Sequence, residues 1–282
     1  MKTAVLLPCL TLAAALATSA QFAESPAVDD AQLLASLARG AEELQARGQT
    51  TPLTNLLAQL QRRTCSLKLA PVSAVPPAVP DLAARWRESV VVVGGVYKCT
   101  KCPRWHTSPA TGFVISDSGA IATCHHVVNK PTNSTLVVMT SGGKVHPVKE
   151  ILAADAASDL AILKIDATGL KALPIAPAAT VGEPIRVLSH PDRHFFMLTE
   201  GIVSRHLVQR KAQRPVTMMA ITADFGRGSS GAPVFNLRGA VVGIVDATQS
   251  LYYSETNGVK QNLQMVFKHC VASKHLLELV KP

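Results

Sequence analysis

The chain has 282 residues, 48% hydrophobic and 17% charged, which is enough apolar mass for one large domain with a full core plus an appendage. Its formal net charge is +9, but the basic residues are scattered (Arg62-Arg63, Arg85 and Arg87, Arg210-Lys211). No aromatic-studded basic stripe appears, which argues against nucleic-acid binding. After residue 20 no stretch is long and apolar enough to span a membrane.

Residues 1–20 read as a secretory signal. Lys2 is the charged start, Ala4 to Ala17 the apolar run, and Thr18-Ser19-Ala20 a small-residue cleavage site. The protein is therefore expected to be exported, to the periplasm or outside the cell. Beyond the signal the chain keeps Cys65, Cys99, Cys102, Cys124 and Cys270, an odd number that leaves at least one thiol over.

Residues 21–69 read as a helical hairpin. Leu33, Leu34, Leu37, Ala41 and Leu44 have helical spacing, led by Asp29 and Asp30 and stopped by Gly48. Thr51-Pro52 opens a second stripe at Leu53, Leu56, Leu57 and Leu60. Residues 70–80, with Pro71, Pro76, Pro77 and Pro80, read as a stiff extended linker. Few contacts should cross such a linker, so residues 81–282 are expected to fold without the hairpin.

From Asp81 onward the texture is β. Short runs at 90–96, 111–116, 120–123, 135–139, 144–153, 160–165, 185–189, 201–205, 216–222, 233–235, 240–245 and 264–267 are separated by turn residues. A closing helix is expected over 271–280. Many short strands with few helices between them argue for an all-β barrel or sandwich.

Gly226-Arg227-Gly228-Ser229-Ser230-Gly231-Ala232 sets a serine between glycines ahead of an apolar strand. Such a turn can expose a hydroxyl and aim main-chain N–H groups at one point. Acyl transfer needs both a nucleophile and a hole for the oxyanion. A nucleophilic serine needs a base, and His125-His126 stand at the exit of a strand. The base needs a carboxylate, and Asp159 opens the apolar strand Leu160 to Ile165.

In these motifs the chain from about Arg85 to Pro282 resembles a trypsin-like peptidase domain of the HtrA (Deg) type. The resemblance rests on Ser89-Val90-Val91, Gly112-Phe113-Val114-Ile115-Ser116, Thr123-Cys124-His125-His126-Val127-Val128, and Ser158-Asp159-Leu160-Ala161-Ile162-Leu163. It continues through Gly201-Ile202-Val203-Ser204, Gly228-Ser229-Ser230-Gly231-Ala232, and Gly239-Ala240-Val241-Val242-Gly243-Ile244. The resemblance implies a mainly β fold, two six-stranded antiparallel barrels of the chymotrypsin kind, here with an N-terminal helical hairpin and a short C-terminal helix. It picks His126 over His125 as general base, with Asp159 orienting it and Ser230 forming the acyl-enzyme. It also assigns the N–H groups of Gly228 and Ser230 to the oxyanion hole. It implies polypeptide substrates and no cofactor, and leaves homo-oligomerisation open. No PDZ domain is expected after Pro282.

The sequence departs from the family in Ser229, where the family has Asn or Asp, and in Ala232, where it has Gly. Val92-Val93-Gly94-Gly95 mimics a zymogen N-terminus, but with Ser229 before the nucleophile a freed amine would find no carboxylate. The segment is therefore read as an internal strand. Two pocket cues conflict: Asp224 stands where trypsin has its basic-selective carboxylate, and Phe225 where HtrA-type enzymes have an apolar residue. Cys99-x-x-Cys102, followed by Trp105-His106, fits a local disulfide or a zinc site with His106, Cys124 or Cys65 completing it. Two functions follow: an exported serine endopeptidase acting on unfolded or misfolded proteins, or a catalytically idle protease-fold module that binds partners. As general base His126 must be neutral, so kcat/KM is expected to rise through a single limb at roughly pH 6–7.5.

Overall fold

The computed structural model describes residues 27–72, 79–99, 101–211 and 214–281. The signal expected at 1–20 and residues 73–78 of the expected linker lie outside them. In chain order the elements are α1 (Asp30–Ala46), α2 (Leu53–Leu57), β1 (Cys65–Ser66), α3 (Val79–Ser89), β2 (Val90–Lys98), β3 (Trp105–Ser116), β4 (Ala120–Cys124), α4 (His125–Val128), β5 (Thr135–Met139), β6 (Val145–Asp155) and β7 (Leu160–Ile165). The second half follows with β8 (Pro184–Ser189), β9 (Met197–Lys211), β10 (Arg214–Ile221), β11 (Pro233–Asn236), β12 (Val241–Thr256), β13 (Val259–Ala272), α5 (Lys274–Leu279) and β14 (Val280–Lys281).

Val90 to Val93 explain the first barrel. All four are fully buried. Alternate residues of a strand face opposite ways, so a continuous valine run suits a strand covered on both faces. β2 pairs with β3 on one edge and β5 on the other. The closed order is β2-β3-β4-β7-β6-β5, and the second barrel closes as β10-β13-β12-β11-β8-β9. The expected pair of six-stranded antiparallel barrels is what the chain forms. Val92 to Gly95 lie inside β2, as an internal strand should.

The N-terminal helices do not form a body of their own. Leu37 and Ala41 of α1 are fully buried in one cluster with Val90, Val92, Trp86 and Phe235. Leu53 and Leu56 of α2 are buried in another, with Val91, Val93 and Ile121. Gly40 lets α1 come close: a Cβ there would lie 2.5 Å from Val145 Cγ2. α2 and the chain after it are tied to the first barrel by backbone bonds from Leu53 N–H to the Ser134 carbonyl and from Ala154 N–H to the Arg62 carbonyl. β1 then pairs in parallel with β14, near the C-terminal end of the chain. Fully burying one such leucine is worth about 1.5–3 kcal/mol, so this packing does not support the expected independence of residues 81–282.

Three other expectations on the elements change. The linker was read to Pro80, yet α3 begins at Val79, with Pro80 in its first turn, where a missing N–H costs nothing. α3 delivers Trp86, which is buried and stacked on Phe235 of the second barrel at 4.1 Å between rings. The strands read at 240–245 and 264–267 run much further, as a β12–β13 ribbon turning at Asn257-Gly258. The closing helix is only Lys274–Leu279, because Val271 and Ala272 belong to β13. Among the described residues no helix is long and apolar enough to cross a membrane.

Candidate active site

β4 ends at Cys124, and the chain turns at once into α4, which carries His126. Opposite it, Asp159 sits in the β6–β7 turn with φ 56°, a left-handed conformation that aspartate tolerates better than most residues. That turn lets Asp159 hold α4 at three points. Its carbonyl accepts the His125 N–H at 2.9 Å. Its Oδ1 accepts the His126 N–H at 2.9 Å, and its Oδ2 lies 2.6 Å from His126 Nδ1. A proton on Nδ1 donated to the carboxylate leaves Nε2 as an acceptor. Burial works against ionising Asp159, but hydrogen bonding and charge from His126 outweigh it. A hydrogen bond from the Asp246 side chain adds to them, and the carboxyl is held below its ordinary value.

Ser230 comes from the second barrel, on the turn before β11. Gly228 and Gly231 have φ 97° and 86°. A Cβ at 228 would lie 2.5 Å from the His190 carbonyl, and one at 231 would lie 2.3 Å from the Thr111 carbonyl. No side chain fits either place. The turn is pinned from both sides: Thr111 N–H reaches the Ser230 carbonyl at 3.1 Å, and Asp192 N–H reaches the Arg227 carbonyl at 2.6 Å. Thr111 Oγ1 donates to the Gly228 carbonyl at 2.9 Å. Because a trans peptide sets N–H opposite C=O, the Gly228 N–H faces away from Asp192. Among the described residues the amides of Gly228 and Ser230 donate to no protein group. Ser229, where the family carries Asn or Asp, is fully buried, with its hydroxyl donating to Ser189 Oγ at 3.0 Å.

His126 and Ser230 line the same two adjoining clefts. One, of about 540 Å³, also takes in Ser108, Ala110, Asp192, Arg193 and Gly228. The other, of about 320 Å³, takes in Phe225, Val245, Asp246 and Ala247. His125 lines neither. The two pocket candidates part company. Phe225 is buried and lines the smaller cleft, whereas the Asp224 side chain is 84% exposed and paired with Lys268 at 3.1 Å. Lys268 Nζ also donates to the Phe225 carbonyl at 2.7 Å and sits over its ring. Cys124 is buried behind the site. Its thiol donates to the Val245 carbonyl, and burial pushes it well up, so it stays protonated and inert.

Sequence reasoning missed two parts. Asp246 lines the smaller cleft, its carbonyl accepts the Ser230 hydroxyl at 3.4 Å, and its side chain meets that of Asp159. The other is the 190–196 segment. Asp192, Arg193 and Phe196 all have positive φ, and His190 is fully buried with Nδ1 accepting the Phe196 N–H at 3.0 Å. This segment rests on α1: Asp30 accepts the Phe195 N–H at 2.8 Å and pairs with His194 at 3.3 Å. The positive-φ residues are not glycines, and Asp30 lies far away in sequence, so no motif pointed there.

Residues 110–244 match the trypsin-like peptidase domain family. A probable periplasmic serine endoprotease, DegP-like, of Halomonas elongata is 34% identical over 141 residues, 49% of this chain and 29% of that protein. The mitochondrial serine protease HTRA2 of Drosophila grimshawi is 34% identical over 146 residues, 49% of this chain and 33% of that protein. The chain thus spans about a third or less of these relatives' own length. Among solved structures, the serine endoprotease from Yersinia pestis superposes with a TM-score of 0.53 at 22% identity, covering 72% of this chain and 65% of that one, a likeness that speaks to the fold. Residues 110–244 of this chain thus match a trypsin-like peptidase domain, and the relatives it is similar to are serine proteases of the DegP-like and HTRA2 kinds.

Proposed function

We propose that the protein is an exported serine endopeptidase that cleaves unfolded or misfolded polypeptides through an acyl-enzyme on Ser230. The observation that carries this is the His126–Asp159 pair, Nδ1 to Oδ2 at 2.6 Å, facing the same clefts as Ser230. The Ser230 hydroxyl rests on a long bond to the Asp246 carbonyl, which it gives up in this mechanism for a bond to His126 Nε2. His126 takes the proton as Oγ attacks the scissile carbonyl, and Asp159 stabilises the imidazolium. The amides of Gly228 and Ser230 receive the oxyanion, a role in which one donor is typically worth about 2.7–4 kcal/mol of barrier. His126 then returns the proton to the leaving amine, and water repeats the sequence to release the acid.

Phe225, Val245 and Ala247 give the smaller cleft an apolar lining. Arg227 at its mouth and the Lys268 ammonium under Phe225 oppose a basic P1 side chain, and Asp224 is turned outward and already paired. An apolar P1 residue fits best. Export to the periplasm is supported by the leader-like residues 1–20 and by the DegP-like relatives. The test is hydrolysis of a reduced, unfolded protein substrate. His126→Ala should abolish it and His125→Ala should leave most of it. Equal loss in two folded variants would refute the assignment.

A further inference from the structure

Three ligand-type atoms meet where β2 gives way to β3. Cys99 Sγ and Cys102 Sγ lie 3.4 Å apart, and His106 Nε2 lies 3.2 Å from the first and 3.0 Å from the second. All three side chains are half-buried. We propose that Cys99, Cys102 and His106 bind a zinc ion through both sulfurs and the Nε2 nitrogen, leaving the fourth position to water or another exogenous ligand.

The triangle is the argument. Tetrahedral zinc, with Zn–S of about 2.3 Å and Zn–N of about 2.0–2.1 Å, sets neighbouring ligand atoms roughly 3.5–3.8 Å apart. The observed triangle is tighter by only about half an ångström or less. A disulfide accounts for two of the atoms and gives the imidazole nitrogen no reason to sit against both sulfurs. Zinc accounts for all three. The two thiols would release their protons to solvent as the ion binds, and His106 would bind as the neutral imidazole.

The stem beneath is already rigid. Tyr97 stands directly across from His106 and stacks on it at 5.6 Å, and Lys98 lies over the Trp105 ring at 4.8 Å. His106 therefore reaches the sulfurs from a fixed strand. Among the described residues the other thiols are elsewhere: Cys65 Sγ lies at the Leu279 carbonyl, and Cys124 and Cys270 are buried in the barrels. The same strand runs on through Ser108 and Ala110, which line the larger cleft, to Thr111, which holds the Ser230 turn. An ion here would clamp the start of the strand that borders the substrate cleft.

The test uses the full chain, purified without reductant, with its thiols counted by alkylation and intact mass. Free thiols at Cys99 and Cys102 are expected. Titrating metal-stripped protein with Co²⁺ should give a thiolate-to-cobalt charge-transfer band and tetrahedral d–d bands that saturate at one ion per chain and vanish on adding zinc. Cys102→Ser should remove most of the charge-transfer band, and Cys65→Ser should leave it unchanged. His106→Gln removes one of the three protein ligands and should weaken zinc binding markedly. A Cys99–Cys102 disulfide in the isolated chain overturns the proposal. So does a reduced, folded chain that gives no thiolate–cobalt band.

Discussion

His126 and Asp159 are joined mainly within the first barrel, with one bond from Asp246 of the second, whereas Ser230 sits on a turn of the second barrel held by Thr111 of the first barrel and by the 190–196 segment that rests on α1. The first is built on α4 and the β6–β7 turn, joined by three bonds to one aspartate, with the Asp246 side chain adding a fourth. The second is reached through a chain of supports. Asp30 of α1 holds Phe195 and His194, His190 holds Phe196, and Asp192 holds the Arg227 carbonyl and pairs with its guanidinium at 2.6 Å. Gly228 follows Arg227 in the chain, and Thr111 of the first barrel also holds its carbonyl directly, at 2.9 Å. The proposed acid–base half is thus mostly local. The proposed nucleophile and oxyanion half leans in addition on a helix that belongs to neither barrel.

The largest effect that would break this contrast lies in the local half. Asp159→Asn keeps the shape but offers His126 an amide, which favours the wrong tautomer. The rate should fall by about 10⁴-fold, the loss known for the same change in a serine-protease triad. Wild-type rates in that variant would make Asp159 a strand-start residue and nothing more.

Deleting residues 27–46 tests the remote half. It strips Leu37 and Ala41 from a shared core and Asp30 from the 190–196 segment, so insoluble or inactive protein is expected. A finer probe is Asp30→Ala, which removes one charge-assisted hydrogen bond of about 1.5–3 kcal/mol. It should lower kcat by roughly tenfold, with KM little changed, because the oxyanion acts in the transition state. A soluble, fully active chain lacking α1 would dissolve the contrast.

Specificity follows in size. Peptides with Val at P1 should exceed those with Arg by at least about tenfold in kcat/KM, a modest margin for an apolar pocket. Preference for Arg would mean that Asp224 leaves Lys268 and turns into the cleft.

The smallest effect is on stability. Burial pushes the His190 imidazole down to about 4, below the roughly 6.5 expected of an unfolded histidine. The unfolded chain therefore binds the proton more readily between these values. The contribution of neutral His190 is fully present above about pH 6.5 and is lost as pH falls toward 4. Tm should drop across that window, and less steeply in His190→Gln. Equal slopes would remove His190 from the acid response.

What could be read in the sequence mirrors the same contrast. The valine run of β2, the hairpin at Asp117-Ser118-Gly119, and the Thr123–Val128 and Ser158–Leu163 segments each carry their structure within a few residues, so pattern and motif found them. α3 was hidden by Pro80 and the prolines ahead of it, because a proline in a first turn looks the same in sequence as one in a linker. The β12–β13 ribbon was hidden by Gln249, Ser250, Ser254 and Glu255, which break the apolar alternation although the two strands still satisfy each other's backbone groups. Asp246 carried no motif of its own. Asp30 could not be paired with Phe195 by any local rule, since only the packed fold brings them together.

The central claim is that Ser230, activated by His126, is the nucleophile. Treating the folded chain with a fluorophosphonate and mapping the adduct by peptide mass tests it most directly. One stoichiometric adduct on Ser230 is expected, absent in Ser230→Ala and strongly slowed in His126→Ala. Folded wild-type protein that takes no label, or takes it on another residue, would contradict it.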